Sequence, residues 1–167
     1  MGYKNKTYVC FDADTDMKHY GLMKAWKENE HHDFDFHNAH EINNIKDGST
    51  EEAIKKKLRE RLLNTKVLIV LIGANTKNLY KYVRWEIEYA IEKDIPIIAV
   101  NLNGEKKVDS KLCPPLLKDK LAIHTHFGQK IINHALNKWP DLHTTHSKKE
   151  DTKCAYHFKD SVYDNLK

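Results

Sequence analysis

Val67-Leu68-Ile69-Val70-Leu71-Ile72 is apolar at every position. A strand with one wet face alternates polar and apolar residues. A run with no polar residue on either face must be covered on both, as in the centre of a parallel sheet with helices above and below. Gly73 ends the run. It is far shorter than the roughly 20 apolar residues that a membrane-spanning helix needs.

The flanking sequence supplies the partners of such a strand. Thr7 to Asp12 is a β-branched and aromatic run, and Phe34 and Phe36 alternate with Asp35 in a second short strand. Ile95 to Val100 makes a fourth, with Pro96 tolerated at its start. Leu121 to Phe127 is a fifth, more polar and so expected at an edge. Helical spacing falls between them. Leu22, Met23 and Trp26 lie in Asp16 to Glu28, and Val83, Ile87 and Ile91 in Lys81 to Lys93. Ile54, Leu58 and Leu62 follow Ser49-Thr50-Glu51-Glu52, a capping-box signature with Ser49 as the expected cap. Gln129 to Trp139 is a closing amphipathic helix. Strands alternating with helices give an α/β fold, and for five parallel strands the flavodoxin-like order 2-1-3-4-5 with helices on both faces. Residues 1–140 form the expected domain. Residues 141–167 read as a polar linker and a C-terminal tail whose Phe158, Val162 and Leu166 lie at helical spacing.

In this architecture ligands bind beyond the carboxyl ends of the strands, where the strand order reverses. The loop after the first strand is Asp12-Ala13-Asp14-Thr15-Asp16, with no glycine and three carboxylates. It lacks the close backbone approach of a dinucleotide-binding G-x-G-x-x-G turn or a P-loop and would repel phosphate. The third strand ends in Gly73-Ala74-Asn75, which offers no phospho-accepting Asp. The strand ends carry Asp12, Asp14, Asp16, His37 and Asn75, with Glu86 on the helix that follows. Glu86 lies beside the apolar stripe, bracketed by Tyr82 and Trp85. A carboxylate among aromatics holds cationic groups. The plainer alternative is a boundary Glu paired with Arg84 or a lysine. For Asp12 and Asp14 the plainer alternative is loop formation and capping of the next helix.

Net charge is +4, from 28 Lys and Arg against 24 Asp and Glu, too little and too scattered for a nucleic-acid groove. Three cysteines without regular spacing argue against a disulfide framework and fit a reducing compartment. No export segment follows Met1, so the expected location is the cytoplasm, with no membrane partner. His31, His32, His37 and His40 match no standard zinc spacing, and His124 and His126 share a strand face that an edge position explains, so no metal is expected.

Tyr82-Val83-Arg84-Trp85-Glu86-Ile87, placed between Ile72-Gly73-Ala74-Asn75-Thr76 and the Ile95 to Leu102 segment, resembles the TIR-like family that includes single-domain proteins of bacterial Thoeris anti-phage defence. Phe11-Asp12 and Phe34-Asp35-Phe36-His37 fit the same pattern, and the resemblance spans Thr7 to Trp139. It implies an enzyme that consumes NAD as substrate without a resident cofactor, splits the nicotinamide–ribose bond, and makes a cyclic or conjugated ADP-ribose signal for a separate effector. It further implies Glu86 as the catalytic carboxylate, with Tyr82 where the family usually has Trp. Phe11 and Trp85 become candidates to stack on nicotinamide or exclude water, and Asp12, Asp14, His37 and Asn75 to contact the ligand. Assembly into a homo-oligomer is a further family expectation. The alternatives are a non-catalytic TIR-like assembly module and a small-ligand-binding domain without turnover.

Overall fold

The computed structural model describes residues 6–29, 35–37, 49–78 and 81–167. Chain order runs β1 (Lys6–Cys10), α1 (Met17–Asn29), β2 (Asp35–His37), α2 (Glu51–Leu62), β3 (Val67–Ile72), a 3-10 turn (Thr76–Asn78), α3 (Tyr82–Glu92), β4 (Ile97–Asn101), α4 (Pro115–Lys118), β5 (Ala122–His126), α5 (Gln129–Lys148), β6 (Ala155–His157) and α6 (Asp160–Asn165). The described strands form one parallel sheet in the order β2-β1-β3-β4-β5-β6. The expected α/β fold and the order of its first five strands are therefore present, with one strand added at the end.

The parity of β3 explains the layering. Val67, Ile69 and Leu71 point into one core with Tyr20 and Met23 of α1 and Ile132, Leu136 and Trp139 of α5. Leu68, Val70 and Ile72 point into the other with Leu62 of α2, Val83, Ile87 and Ala90 of α3, and Leu117 of α4. All six β3 residues are buried. Successive side chains of a strand leave opposite faces, so an unbroken apolar run demands a core on each. At α2 the cap is Thr50 rather than Ser49. The Ala53 N–H donates to Thr50 Oγ1 at 3.2 Å.

Two expectations for the C-terminal third are corrected. Residues 141–148 are not a linker: α5 runs on through Pro140 to Lys148. A proline inside a helix costs about 3 kcal/mol, and here burial and anchoring on one face offset it. Leu136, Trp139 and His143 are buried. His143 Nε2 sits 3.0 Å from Asp94 Oδ1, and Ser147 Oγ donates to Asp94 Oδ2 at 2.6 Å. Asp94 occupies the α3–β4 turn with φ of 52°, so the second half of α5 is tied to the neighbouring crossover. Nor is β5 an edge. The tail returns as β6, pairing Ala122, Ile123 and His124 with Ala155, Tyr156 and His157. His124 is consequently fully buried, and neither ring nitrogen has a hydrogen-bond partner among the described residues. Burial, with His157 adding to it, lowers its pKa to about 4.

The end of the tail is fixed by one aromatic side chain. Tyr163 of α6 is buried, stacks on His126 with centroids 5.1 Å apart, and has Lys106 Nζ 4.6 Å from its ring centroid. Its hydroxyl is buried without a hydrogen-bond partner among the described residues. Ring and hydroxyl thus contribute with opposite sign. Tyr163→Ala is expected to cost about 3 kcal/mol in urea unfolding, whereas Tyr163→Phe, which only removes an unsatisfied hydroxyl, leaves stability unchanged or slightly higher.

Candidate functional site

The strand order reverses between β1 and β3, and the loops leaving these two strands meet there. Asp12, 3% exposed, is the centre of that meeting. Its Oδ2 accepts from Asn75 Nδ2 at 3.0 Å and from Thr15 Oγ1 at 2.9 Å, and its Oδ1 from the Asp14 N–H at 3.0 Å. Burial works to raise the Asp12 pKa. The hydrogen bonds from Asn75, Asp14 and Thr15 outweigh it, and the group titrates below the usual carboxylate range. The Asp12 carbonyl also accepts from the Asp16 N–H at 2.8 Å, just before α1 begins. Loop formation and helix entry, the plainer alternative, therefore describe what Asp12 does within the chain. Asp14 supplies its backbone N–H, and its residue is exposed.

Asp16 lies against the end of β3. A Cβ added to Gly73 would sit 2.4 Å from Asp16 Oδ2, so only glycine admits the carboxylate this close to the strand end. Burial raises the Asp16 pKa, and the neighbouring Asp12 charge adds to the rise although Thr15 opposes it. Thr76 closes the turn, accepting from the Gly73 N–H at 2.9 Å and donating to the Leu71 carbonyl at 3.2 Å.

Glu86 lies in the core between α3 and β1 and is 3% exposed. It does not pair with Arg84, which bonds Glu88 one turn on at 2.8 Å. Tyr8 Oη donates to Glu86 Oε1 at 3.0 Å. The Cys10 thiol packs beside them, 3.9 Å from the Val83 carbonyl. Burial raises the Glu86 pKa to about 7, against the pull of the Cys10 thiol, the Tyr8 hydroxyl and the Arg61 charge. The Tyr8 phenol and Cys10 thiol are themselves pushed far up, chiefly by burial and then by the Glu86 charge. Both stay protonated as donors. The arrangement is a carboxyl held in a dry site with its charge balanced near neutral pH, the setting in which such groups serve as acids, bases or stabilisers of developing positive charge.

The expected residues divide into groups. Asp12 and Asn75 are joined directly. Phe11 stacks on Tyr20 at 4.7 Å in the α1–α5 core, on the opposite sheet face from the core that holds Tyr8 and Cys10. Trp85 turns toward α2, with Lys55 Nζ 4.7 Å from its ring centroid. Tyr82 is 41% exposed, its ring centroid 5.9 Å from that of Trp85. His37 pairs with Tyr8 in the β1–β2 register. The His37 side chain lies outside the described residues, as do His31, His32 and His40. Among the described residues, no group of three or more His, Cys, Asp or Glu is placed to hold a metal ion, and no helix is long and apolar enough to cross a membrane. Tyr8 and Cys10 are the site residues that sequence patterning did not single out. For Tyr8 and Cys10 the signal was available, because alternate residues of β1 must share a face.

A flavodoxin-like sheet with a buried carboxyl on the helix after its central strand is the frame of a TIR-like domain. Residues 8–107 match the family model described as Thoeris protein ThsB, TIR-like domain, and the chain belongs to that family. The match runs from Tyr8 in β1 through β4 and includes Asp12, Asn75 and Glu86.

The raised pKa of Glu86 makes a stability prediction whose sign is fixed. An acid with its folded pKa above the unfolded value destabilises the fold as pH rises between the two, fully so above the folded pKa. Glu86→Gln removes that cost. It is expected to stabilise the protein by up to about 3 kcal/mol above pH 7 and by nothing below the ordinary Glu pKa, as read from denaturant midpoints across pH.

Proposed function

We propose that this protein cleaves the nicotinamide–ribose bond of NAD, with Glu86 as the catalytic carboxylate, and releases a cyclic or conjugated ADP-ribose that signals in anti-phage defence. The observation that carries this reading is the Glu86 carboxyl, buried in the second turn of α3 with its pKa raised to about 7 and Tyr8 fixing one oxygen, in a chain of the Thoeris TIR-like family. The chemistry suits the group. The bond from ribose C1′ to the pyridinium nitrogen breaks with its electron pair going to nitrogen, so nicotinamide leaves neutral and needs no general acid. C1′ becomes oxocarbenium-like, and a nearby carboxylate stabilises it. A nucleophile then closes on C1′: in cyclisation an adenine ring nitrogen, which takes up the positive charge, and in conjugation or hydrolysis a separate acceptor or water, which loses a proton. Low local dielectric strengthens the carboxylate's hold on the cation. Asp12 and Asn75, tied together at the strand ends, frame the approach to the ligand. The product diffuses to its effector, and a second copy of the chain completes the site.

The second reading is a non-catalytic TIR-like assembly or ligand-binding module. The 3% exposure of Glu86 favours it, because Tyr8 already occupies one face of the carboxylate.

Product analysis separates the two. Purified protein with NAD, alone and with phage-infected lysate as trigger, should release nicotinamide, and Glu86→Gln should reduce release at least about 100-fold. The adenine-containing product's mass distinguishes cyclisation, conjugation and hydrolysis. Absence of turnover in both conditions overturns the enzyme reading in favour of the module. Glu86 acts ionised, so cleavage is expected to rise with pH through a single ionisation near 7, and a profile flat from pH 6 to about 8 would remove Glu86 from the reaction.

A further inference from the structure

A concave region lies against α3, and Glu86 is not among its lining residues. It is a slot of about 220 Å³ between the 3-10 turn, α3 and the start of α4, with Val83, Ile87, Pro114, Pro115 and Leu116 as its apolar walls and Arg84 at its rim. That is below the roughly 300–1,000 Å³ filled by drug-sized ligands, so the slot takes one ring system rather than a whole molecule. It adjoins an open cleft that shares Lys77 and Pro115 with it and adds Lys111 and Lys118, with no carboxylate lining it among the described residues.

The cations of this cleft are gathered by geometry. Lys77 Nζ donates to the Lys111 carbonyl at 2.7 Å, and Lys118 Nζ donates to the Ser110 carbonyl at 2.8 Å. Two ammonium groups are thus held at the carbonyls of adjacent residues, each spending one of its three donors there. Two acids are near in sequence: Asp119 follows Lys118 directly, and Asp109 precedes Lys111 by two residues and is tied into the turn. Asp109 Oδ1 accepts from the Lys111 and Leu112 N–H groups, and its Oδ2 accepts from Asn103 Nδ2 at 2.7 Å. Holding three lysines along one cleft is unfavourable, and a multivalent anion relieves it. Next to the cations is an apolar slot of single-ring-system size, with a planar guanidinium at its rim that is suited to stacking.

We propose that slot and cleft together form a nucleotide site, the base seated against Pro114, Pro115 and Leu116 and two or more phosphates held by Lys77, Lys111 and Lys118. The site is separate from Glu86 and does not rest on the NAD-cleavage reading. Its walls include Val83, Arg84 and Ile87, which flank Glu86 on α3, so an occupant bears on the helix that carries the carboxylate.

The test uses the full chain with ADP, adenosine and inorganic pyrophosphate, followed by isothermal titration and by amide chemical shifts. ADP is expected to bind saturably and to shift Thr76, Arg84 and Leu116, with adenosine and pyrophosphate each at least about tenfold weaker. Lys77→Glu and Lys118→Glu each weaken ADP about tenfold or more, and the affinity falls with added salt. Leu116→Trp fills the slot and removes the advantage of ADP over pyrophosphate. Should that variant fail to fold, the Lys77 and Lys118 variants, whose ammonium groups bond exposed carbonyls and not the core, still decide the matter. Any of three results overturns the proposal: no saturable ADP binding, pyrophosphate binding as tightly as ADP, or ADP shifts confined to Asp12 and Asn75 and indifferent to the lysine variants.

Discussion

Every layer of this domain follows from a strand that has no face to give to water. β3 is buried at all six positions, so helices must close over both sides of the sheet. Parallel pairing to β1 and β4 follows, because the connections that cross the faces are helices. The two cores meet only through the sheet. That separation gives the candidate site its shape. Residues at odd and even positions of β1 are sent to different cores, so Phe11 and Tyr8, three residues apart, pack on opposite sides of the molecule.

Within the α3-side core, Glu86 is the exception to apolar packing. Desolvation acts against its charge, while the Tyr8 hydroxyl, the Cys10 thiol and the Arg61 charge act for it, and the balance leaves the carboxyl near neutrality. A leucine at this position would pack without such a cost. A carboxyl kept in this setting costs stability once it ionises. Asp12 shows the contrasting solution. It is as little exposed, yet hydrogen bonds from Asn75, Thr15 and the Asp14 backbone stabilise its charge. The two are driven in opposite directions because Glu86 lies deep in the core, where desolvation dominates, while Asp12 lies at the strand ends, where desolvation is weaker and the donors outweigh it.

The α5 helix and the tail show where local sequence rules give way. Pro140 followed by a polar, histidine-rich stretch reads as the end of a helix, and at the level of propensity that reading is correct. The helix continues because Trp139 and His143 fall on its buried face, and because Asp94, in the α3–β4 turn, receives His143 and Ser147. The tail likewise has too little apolar content to fold alone. It is ordered by pairing with β5 and by the insertion of Tyr163 between His126 and Lys106.

The sequence by itself determined the fold class, the order of the first five strands and the central place of β3. These depend on periodicity, run length and residue spacing, which are local and additive properties of the chain. The tertiary structure alone decided the partner of Glu86, the commitment of Asp12 to Asn75, the burial of His124 and the turning of Trp85 toward α2. Each of these depends on which distant residue arrives opposite, and that is set by sheet register and helix rotation. Patterning places a side chain on a face, but only packing specifies what it meets there and whether its charge survives the meeting.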